Sequence, residues 1–416
     1  MKPLVSLSRR RFLTHSALAG GIALAPSRWI RRAWADDNPI VVGSLHDQSG
    51  AIASTGVPMV NALKLAIDKL NAQGGLLGRP LRLQHYDTQS TMQLYAQYAH
   101  RLIMKDQVDV IFGGITSASR EAIRPIMSRY DTPYFYAPLY EGGVCDRNTF
   151  CTGTTPAQTV AKLVPYAMEQ WGKKAYILAA DYNYGQITAK WMQKYVKEQG
   201  GEVLSVDFFP LDVTNFGSTI SRIQNSRPDF VLSALVGGNH TSFYRQWHSA
   251  GMKPRVPIAS TTFGLVNEPE TLSAAESEGI LTSYGYFQEL DNASNVAFIA
   301  AMHAAYGSHQ PYIAEPAAAT YESVLLWAKG VALAGKASRL ALIDALETDP
   351  TVLGPSGEVM LDRDTHHTVR NAYLARVENK AYKVIASYPQ QPPADTAMIC
   401  NLTAHPTDNQ QYVVDI

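Results

Sequence analysis

A chain of 416 residues with 46% hydrophobic content can bury more than one core, so two domains are expected. The formal net charge is zero, yet the first 35 residues hold seven cations (Lys2, Arg9, Arg10, Arg11, Arg28, Arg31 and Arg32) and no acidic residue. Taking those seven from the 36 Lys and Arg leaves 29 against 36 Asp and Glu, a net of −7, which disfavours nucleic acid and anionic membrane surfaces as partners.

The charge asymmetry sits in an N-terminal segment with its own logic. Ser8-Arg9-Arg10-Arg11-Phe12-Leu13 resembles a twin-arginine export signal, and the apolar run Ala17–Pro26 after it is too short and glycine-rich to span a bilayer. Ala33-Trp34-Ala35 fits a small-x-small cleavage site, so residues 1–35 read as a signal peptide and Asp36 as the mature N-terminus. The product is expected in the periplasm, without membrane insertion. That compartment permits disulfides. Cys145 and Cys151 flank a short loop and can pair, leaving Cys400 over; the pairings 145–400 and 151–400 stay open.

From residue 39 the chain alternates strands and helices. Residues 39–45 read as a strand followed by the polar turn His46–Gly50. Val60, Leu63, Ile67 and Leu70 then recur at steps of three and four, the stripe of an amphipathic helix that ends at Gly74-Gly75. A strand around Leu81 and Leu83, a helix from Ser90 and a buried strand at Val108–Phe112 follow. The stretch from Gly113 to Gly143 is the most informative. It reads as strand, glycine turn, helix opening on Thr116 and Ser117, second strand ending at Tyr136, and the turn Ala137–Gly143 with Tyr140. A helix N-terminus with small polar residues presents free N–H groups, and ligand crevices lie at the carboxyl ends of parallel strands. The plainer role for Ser117 is a helix cap.

The pattern restarts after residue 155. A strand at 175–180 leads into Asp181-Tyr182-Asn183-Tyr184-Gly185, and further strands near 202–209, 229–236 and 257–260 alternate with helices. Tyr182 and Tyr184 alternate, so one of them is expected to face a ligand. Asn239, after Gly237-Gly238, offers a donor and an acceptor, or caps the next helix. A strand at 279–286, helices at 292–306, 314–334 and 338–347, and antiparallel strands at 357–362, 371–378 and 380–387 complete the chain, with a tail from Pro389 expected on the surface. Two βα arrays argue for an α/β fold of two lobes, each a mainly parallel sheet flanked by helices.

Hydrolase and nucleotide-binding motifs are absent, and no cofactor or metal is expected. Gly330–Ala337 approaches a phosphate loop but lacks its Ser/Thr and lies at a helix end. His366-His367 is read as a surface or hairpin doublet.

Gly74-Gly75-Leu76-Leu77-Gly78-Arg79-Pro80, Thr116-Ser117-x-x-Arg120, Tyr140-Glu141-Gly142 and Asp181-Tyr182-x-Tyr184, with Gly200-Gly201 following, together resemble a type I periplasmic solute-binding protein of an ABC importer over nearly the whole mature chain. The resemblance is nearest to the urea and short-chain amide branch and more distant to branched-chain amino acid binders. It implies lobes of 38–155 plus 285–353 and 156–284 plus 354–416, urea or a short-chain amide bound between them by hinge closure, and delivery to an inner-membrane permease. The alternatives are an amino acid ligand or a ligand sensor of the same fold. The ligand-binding residues it and the turns point to are Thr116, Ser117, Tyr136, Tyr140, Tyr182, Tyr184 and Asn239. Pro138 and Ile115 depart from the amide branch, which carries threonine and tyrosine there. An amino acid would instead need an acidic partner for its ammonium, such as Asp47, Glu141 or Asp181.

Overall fold

The computed structural model describes residues 38–266 and 268–413; the export signal read at 1–35 lies outside them. In chain order the first array comprises β1 (Ile40–His46), α1 (Ala53–Ala72), β2 (Leu81–Asp87), α2 (Met92–Met104), β3 (Val110–Gly113), α3 (Ser117–Arg129), β4 (Tyr134–Tyr136), β5 (Val144–Asp146) and β6 (Thr149–Cys151). The second comprises α4 (Val160–Trp171), β7 (Lys174–Ala180), α5 (Asn183–Glu198), β8 (Glu202–Phe209), α6 (Gly217–Ser226), β9 (Phe230–Ala234), α7 (Gly238–Ser249), β10 (Ile258–Ser260), α8 (Glu268–Thr271), α9 (Ala274–Ser277) and β11 (Leu281–Tyr284). The chain closes with α10 (Ala293–Tyr306), α11 (Glu315–Ala334), α12 (Arg339–Leu346), β12 (Thr351–Gly354), β13 (Gly357–Leu361), β14 (Thr368–Glu378), β15 (Ala381–Gln391), α13 (Ala394–Ala397) and β16 (Asn409–Gln411).

These elements form two α/β lobes. The first sheet has the order β2-β1-β3-β4-β6, all parallel. Its central strands β1 and β3 are buried at every position, as strands covered by helices on both faces must be. The second sheet runs β8-β7-β9-β10-β11 in parallel and continues antiparallel through β14 to β13 and β12, with β15 on β14. Asn379 and Lys380 between β14 and β15 have φ of 53° and 64°, the mirror-image turn that matches strand twist. Val60, Leu63 and Ile67 of α1 are buried, and α1 and α11 pack their apolar faces on the first sheet. Gly335 ends α11 in the left-handed conformation, so the phosphate-loop look-alike is a helix terminus.

Strands β12 to β15 belong to the second sheet, and parts of the segment 354–416 also reach the first lobe. Val359 and Leu361 of β13 join the first lobe's core, and β16 pairs antiparallel with β5, beside a Cys145–Cys400 disulfide. Cys151 is left as a buried free thiol. The tail from Pro389 therefore straps the second lobe to the first. His366 and His367 lie in the β13–β14 connection but are buried: His366 stacks on Phe150 at 4.6 Å and His367 on Tyr140. Among the described residues no helix is long and apolar enough to cross a membrane, and no group of three or more His, Cys, Asp or Glu is placed to hold a metal ion.

Buried carboxylates on α11 tie segments that pass between the lobes. Glu315 accepts the N–H groups of Thr154 (2.9 Å) and Gly285 (2.6 Å), one on each of two crossings. Glu322 pairs with Arg370 at 2.9 Å, and Arg370 donates to the Thr152 carbonyl. Gly285 allows that approach, since a Cβ there would sit 2.6 Å from Arg370 Nε. Arg370→Met leaves Glu322 buried and uncompensated and should cost about 3–5 kcal/mol in denaturant unfolding, while Arg363→Ala, on an exposed pair with Asp349, leaves the midpoint nearly in place; equal midpoints for both variants would contradict the assignment. Ellman titration of the unfolded, unreduced mature protein should find one thiol per chain, and three would show that the bridge does not form.

Candidate functional site

Both parallel sheets turn their carboxyl ends toward one cavity of about 500 Å³. The first lobe supplies Ile52 and Ser54 after β1, Ile115–Ser117 after β3, and Tyr136, Pro138 and Leu139 at the end of β4. The second supplies Tyr182 and Tyr184 after β7, Val236–Gly238 and His240 after β9, and Thr262, Leu265 and Glu268 after β10. The wall is largely apolar, and several of its polar groups come from helix starts.

On the first lobe, α3 begins with a capping box in which Thr116 and Ser119 satisfy each other, and Ser119 Oγ also accepts from the N–H of Ile115 at 3.0 Å. The N–H groups of Ser117 and Ala118 have no partner among the described residues, and the helix dipole adds positive potential there. The Ser117 hydroxyl itself donates to Glu141 at 2.5 Å, so toward the cavity it can only accept. Glu141 is also held by Arg120 (2.9 Å) and Gln411 (2.6 Å). The Arg120 guanidinium lies over the rings of Tyr136 (5.0 Å) and Tyr140 (4.4 Å) and fixes the Tyr136 ring in the wall. The Tyr136 hydroxyl is committed to the Ile115 carbonyl at 3.1 Å.

Five of the seven expected ligand residues, Thr116, Ser117, Tyr136, Tyr182 and Tyr184, line this cavity. Both tyrosines of the Asp181–Gly185 turn do so, because Tyr182 is extended while Tyr184 is already helical, and the strand alternation assumed for them does not apply. Tyr140 and Asn239 lie outside the wall. The Tyr140 hydroxyl faces inward to His367 Nε2, whose Nδ1 donates to the Thr365 carbonyl at 2.7 Å. Asn239 turns its amide to the Pro210 carbonyl at 3.2 Å. Of the acidic candidates, Asp47 is bonded to Thr88 and Ser90, Glu141 to Arg120, and the exposed Asp181 to Gln186; none is in the wall.

Two buried residues in the wall were not foreseen. His240 and Glu268 are 4% and 0% exposed, with His240 Nε2 3.5 Å from Glu268 Oε1. His240 stands beside Asn239 in the glycine turn and was within reach of a reading that weighed the next helix position. Glu268 arrives through an irregular loop after β10 that carries no pattern. Burial pushes the Glu268 carboxyl up to about 8 and His240 down to about 4, so at neutral pH both are uncharged and do not form an ion pair. Glu268 Oε2 accepts from the Gly264 N–H (3.1 Å) and the Tyr382 hydroxyl (3.4 Å). His240 Nδ1 and Glu268 Oε1 have no hydrogen-bond partner. The cationic side chain of Arg245 also borders the cavity and donates to the Thr271 carbonyl at 3.0 Å.

Two lobes present their sheet edges to one apolar, helix-capped cleft. Residues 39–382 match the periplasmic binding protein family model, and the chain belongs to that family. Among curated relatives, a Leu/Ile/Val-binding protein homolog 7 from Brucella suis biovar 1 is 24% identical over 251 residues, 58% of this chain and 63% of the relative. The chain thus spans about three fifths of the length of such relatives. The fold is similar to that of a solute-binding protein of an ABC transporter from Rhodopseudomonas palustris BisB5 in complex with 3,4-dihydroxybenzoic acid, with a TM-score of 0.77, 22% identity, and 85% and 98% of the two chains covered. It is similar as well to an amino acid ABC transporter substrate-binding protein from Pseudomonas fluorescens Pf-5, with a TM-score of 0.75, 21% identity, and 85% and 97% covered. None of these names urea or an amide, so the branch expected from the sequence has no support among them.

The raised Glu268 pKa gives a pH test with a definite sign. Its stabilisation is complete below the ordinary value of 4.5 and is lost as pH rises toward about 8. His240, His46, His85 and His367 act oppositely: burial lowers each, so their contribution is complete above 6.5 and fades as pH falls toward 3–4. Between pH 6.5 and 8 only Glu268 of these five titrates. Urea unfolding should therefore show stability declining over that window in the wild type and a flatter profile in Glu268→Gln; parallel profiles would contradict the buried neutral carboxyl.

Proposed function

We propose that this protein is the periplasmic solute-binding component of an ABC importer and carries a small organic acid with an apolar, aromatic-sized body. The observation that carries the ligand class is the cleft itself: about 500 Å³ of mainly apolar space with unpartnered N–H groups at the start of α3 and no ionised carboxylate in the wall among the described residues. A carboxylate suits those N–H groups and the helix dipole. Tyr136, Tyr182 and Tyr184 suit a flat apolar body. Urea has four heavy atoms and would leave most of such a space unfilled, against a volume of about 30 Å³ for one water in the liquid. The ligand complex of the Rhodopseudomonas neighbour is consistent with an aromatic acid. Closure of the lobes around the solute, followed by hand-over to an inner-membrane permease, completes the reading.

Relatives named for Leu, Ile and Val favour a second reading, a branched-chain amino acid. Glu268 would then have to give up its proton to meet the ammonium. Titration calorimetry of the mature protein with benzoate, 4-hydroxybenzoate, leucine, isoleucine, urea and acetamide separates the cases. An aromatic acid should bind and raise the unfolding free energy by about 2.7 kcal/mol at a hundredfold excess over Kd. Leucine binding with proton release would install the second reading, and a response to urea alone would overturn both.

A further inference from the structure

We propose that Gln411, in the C-terminal strap, is a positioning residue for the ligand-binding turn at the start of α3, acting through Glu141 and Arg120. This rests on the organic-acid reading only in that the solute meets the Ser117 turn.

Arg120, Arg124 and Ser128 recur every four residues and so share one face of α3. That face is covered: Arg120 and Arg124 are 0% and 6% exposed, with the β5–β16 ladder against them. Arg124 Nη1 donates to Asp146 of β5 at 3.0 Å and to the Asn409 carbonyl of β16, and Ser128 donates to Asp146 at 2.5 Å. Gln411, two residues on from Asn409, reaches Arg120, one turn nearer the start of α3. Its side-chain oxygen accepts from Arg120 Nη2 at 2.8 Å, and its Nε2 donates to Glu141 Oε1 at 2.6 Å. Gln410 between them is exposed, as strand alternation requires.

Gln411 therefore closes a triangle of hydrogen bonds with two fully buried, oppositely charged groups. A buried ion pair offsets its desolvation only when its remaining hydrogen-bonding positions are filled. Glu141 gives Oε1 to Arg120 and Gln411, and Oε2 to the Ser117 hydroxyl at 2.5 Å. Arg120 lies over the Tyr136 ring at 5.0 Å. Ser117 and Tyr136 are both in the cleft wall, so a shift of the buried pair is felt at the solute. A three-residue ladder is marginal on its own. The bridge from Cys400 to Cys145, the residue paired with Gln410, keeps the tail within reach of α3.

Gln411→Met keeps the length of the side chain and removes both of its hydrogen-bonding ends; Gln410→Met is the matched exposed control. In the solute-free mature protein, hydrogen–deuterium exchange of residues 114–120 should quicken in Gln411→Met and match the wild type in Gln410→Met. Residues 202–209 of the second lobe should be unchanged in both. Titration calorimetry with benzoate and 4-hydroxybenzoate should show affinity weakened about two- to thirtyfold in Gln411→Met. The loss should shrink when Ser117→Ala is already present, because both substitutions act on the same carboxylate. Wild-type exchange at 114–120 in Gln411→Met, or quickening spread equally to 202–209, would overturn the positioning role. Unchanged affinity in Gln411→Met, or fully additive losses in the double variant, would overturn it too. If neither benzoate binds the wild type, the organic-acid reading falls, and the exchange comparison alone decides the role of Gln411.

Discussion

The molecule depends on one buried carboxylate with two clients. Glu315, at the start of α11, accepts the N–H of Thr154 from one crossing and of Gly285 from another. A backbone N–H buried without an acceptor is costly, so both crossings are bound to the one carboxylate, Thr154 through Oε1 and Gly285 through Oε2. Glu322, two turns further along α11, extends the arrangement through Arg370 to the Thr152 carbonyl and through its other oxygen to Ser356 (2.8 Å). One helix of the first lobe thereby anchors the segments that leave for the second. The sheets can then present their carboxyl edges to a shared space.

That space is governed by what has been neutralised. Every acidic side chain near the first-lobe wall is occupied: Glu141 by Arg120, Ser117 and Gln411, and Asp47 by Thr88 and Ser90. The second-lobe carboxyl, Glu268, is kept uncharged by burial. The remaining polarity is positive, from helix starts and Arg245, against aromatic walls. The Cys145–Cys400 bridge and the β5–β16 pairing have a place in the same scheme. They hold Gln411 against Glu141, and Glu141 in turn orders the Ser117 turn and the Arg120–Tyr136 stack.

Much of the fold was legible because it is written in local periodicity. The apolar stripe of Val60, Leu63 and Ile67, the fully apolar strand into Gly113, and the restart after residue 155 each declare an element without tertiary help. The turn residues after β3, β4 and β7 followed from their place at strand ends. What escaped was set by contacts remote in sequence. Cys145 finds Cys400 across 255 residues, against the pull of the nearby Cys151. His366 and His367 are polar in sequence but fill a gap against Phe150 and Tyr140. Asn239 and His240 are neighbours, yet one helical step turns the amide toward Pro210 and the imidazole toward the cleft. Glu268 has no periodic neighbour to announce it.

The central claim is that one solute touches both sheet edges at once. Hydrogen–deuterium exchange of the mature protein, with and without saturating 4-hydroxybenzoate, addresses it directly. The account predicts simultaneous slowing in residues 114–118 of the first lobe and in residues 236–240 and 261–266 of the second. Protection confined to one lobe, or absent from all three segments, would contradict it.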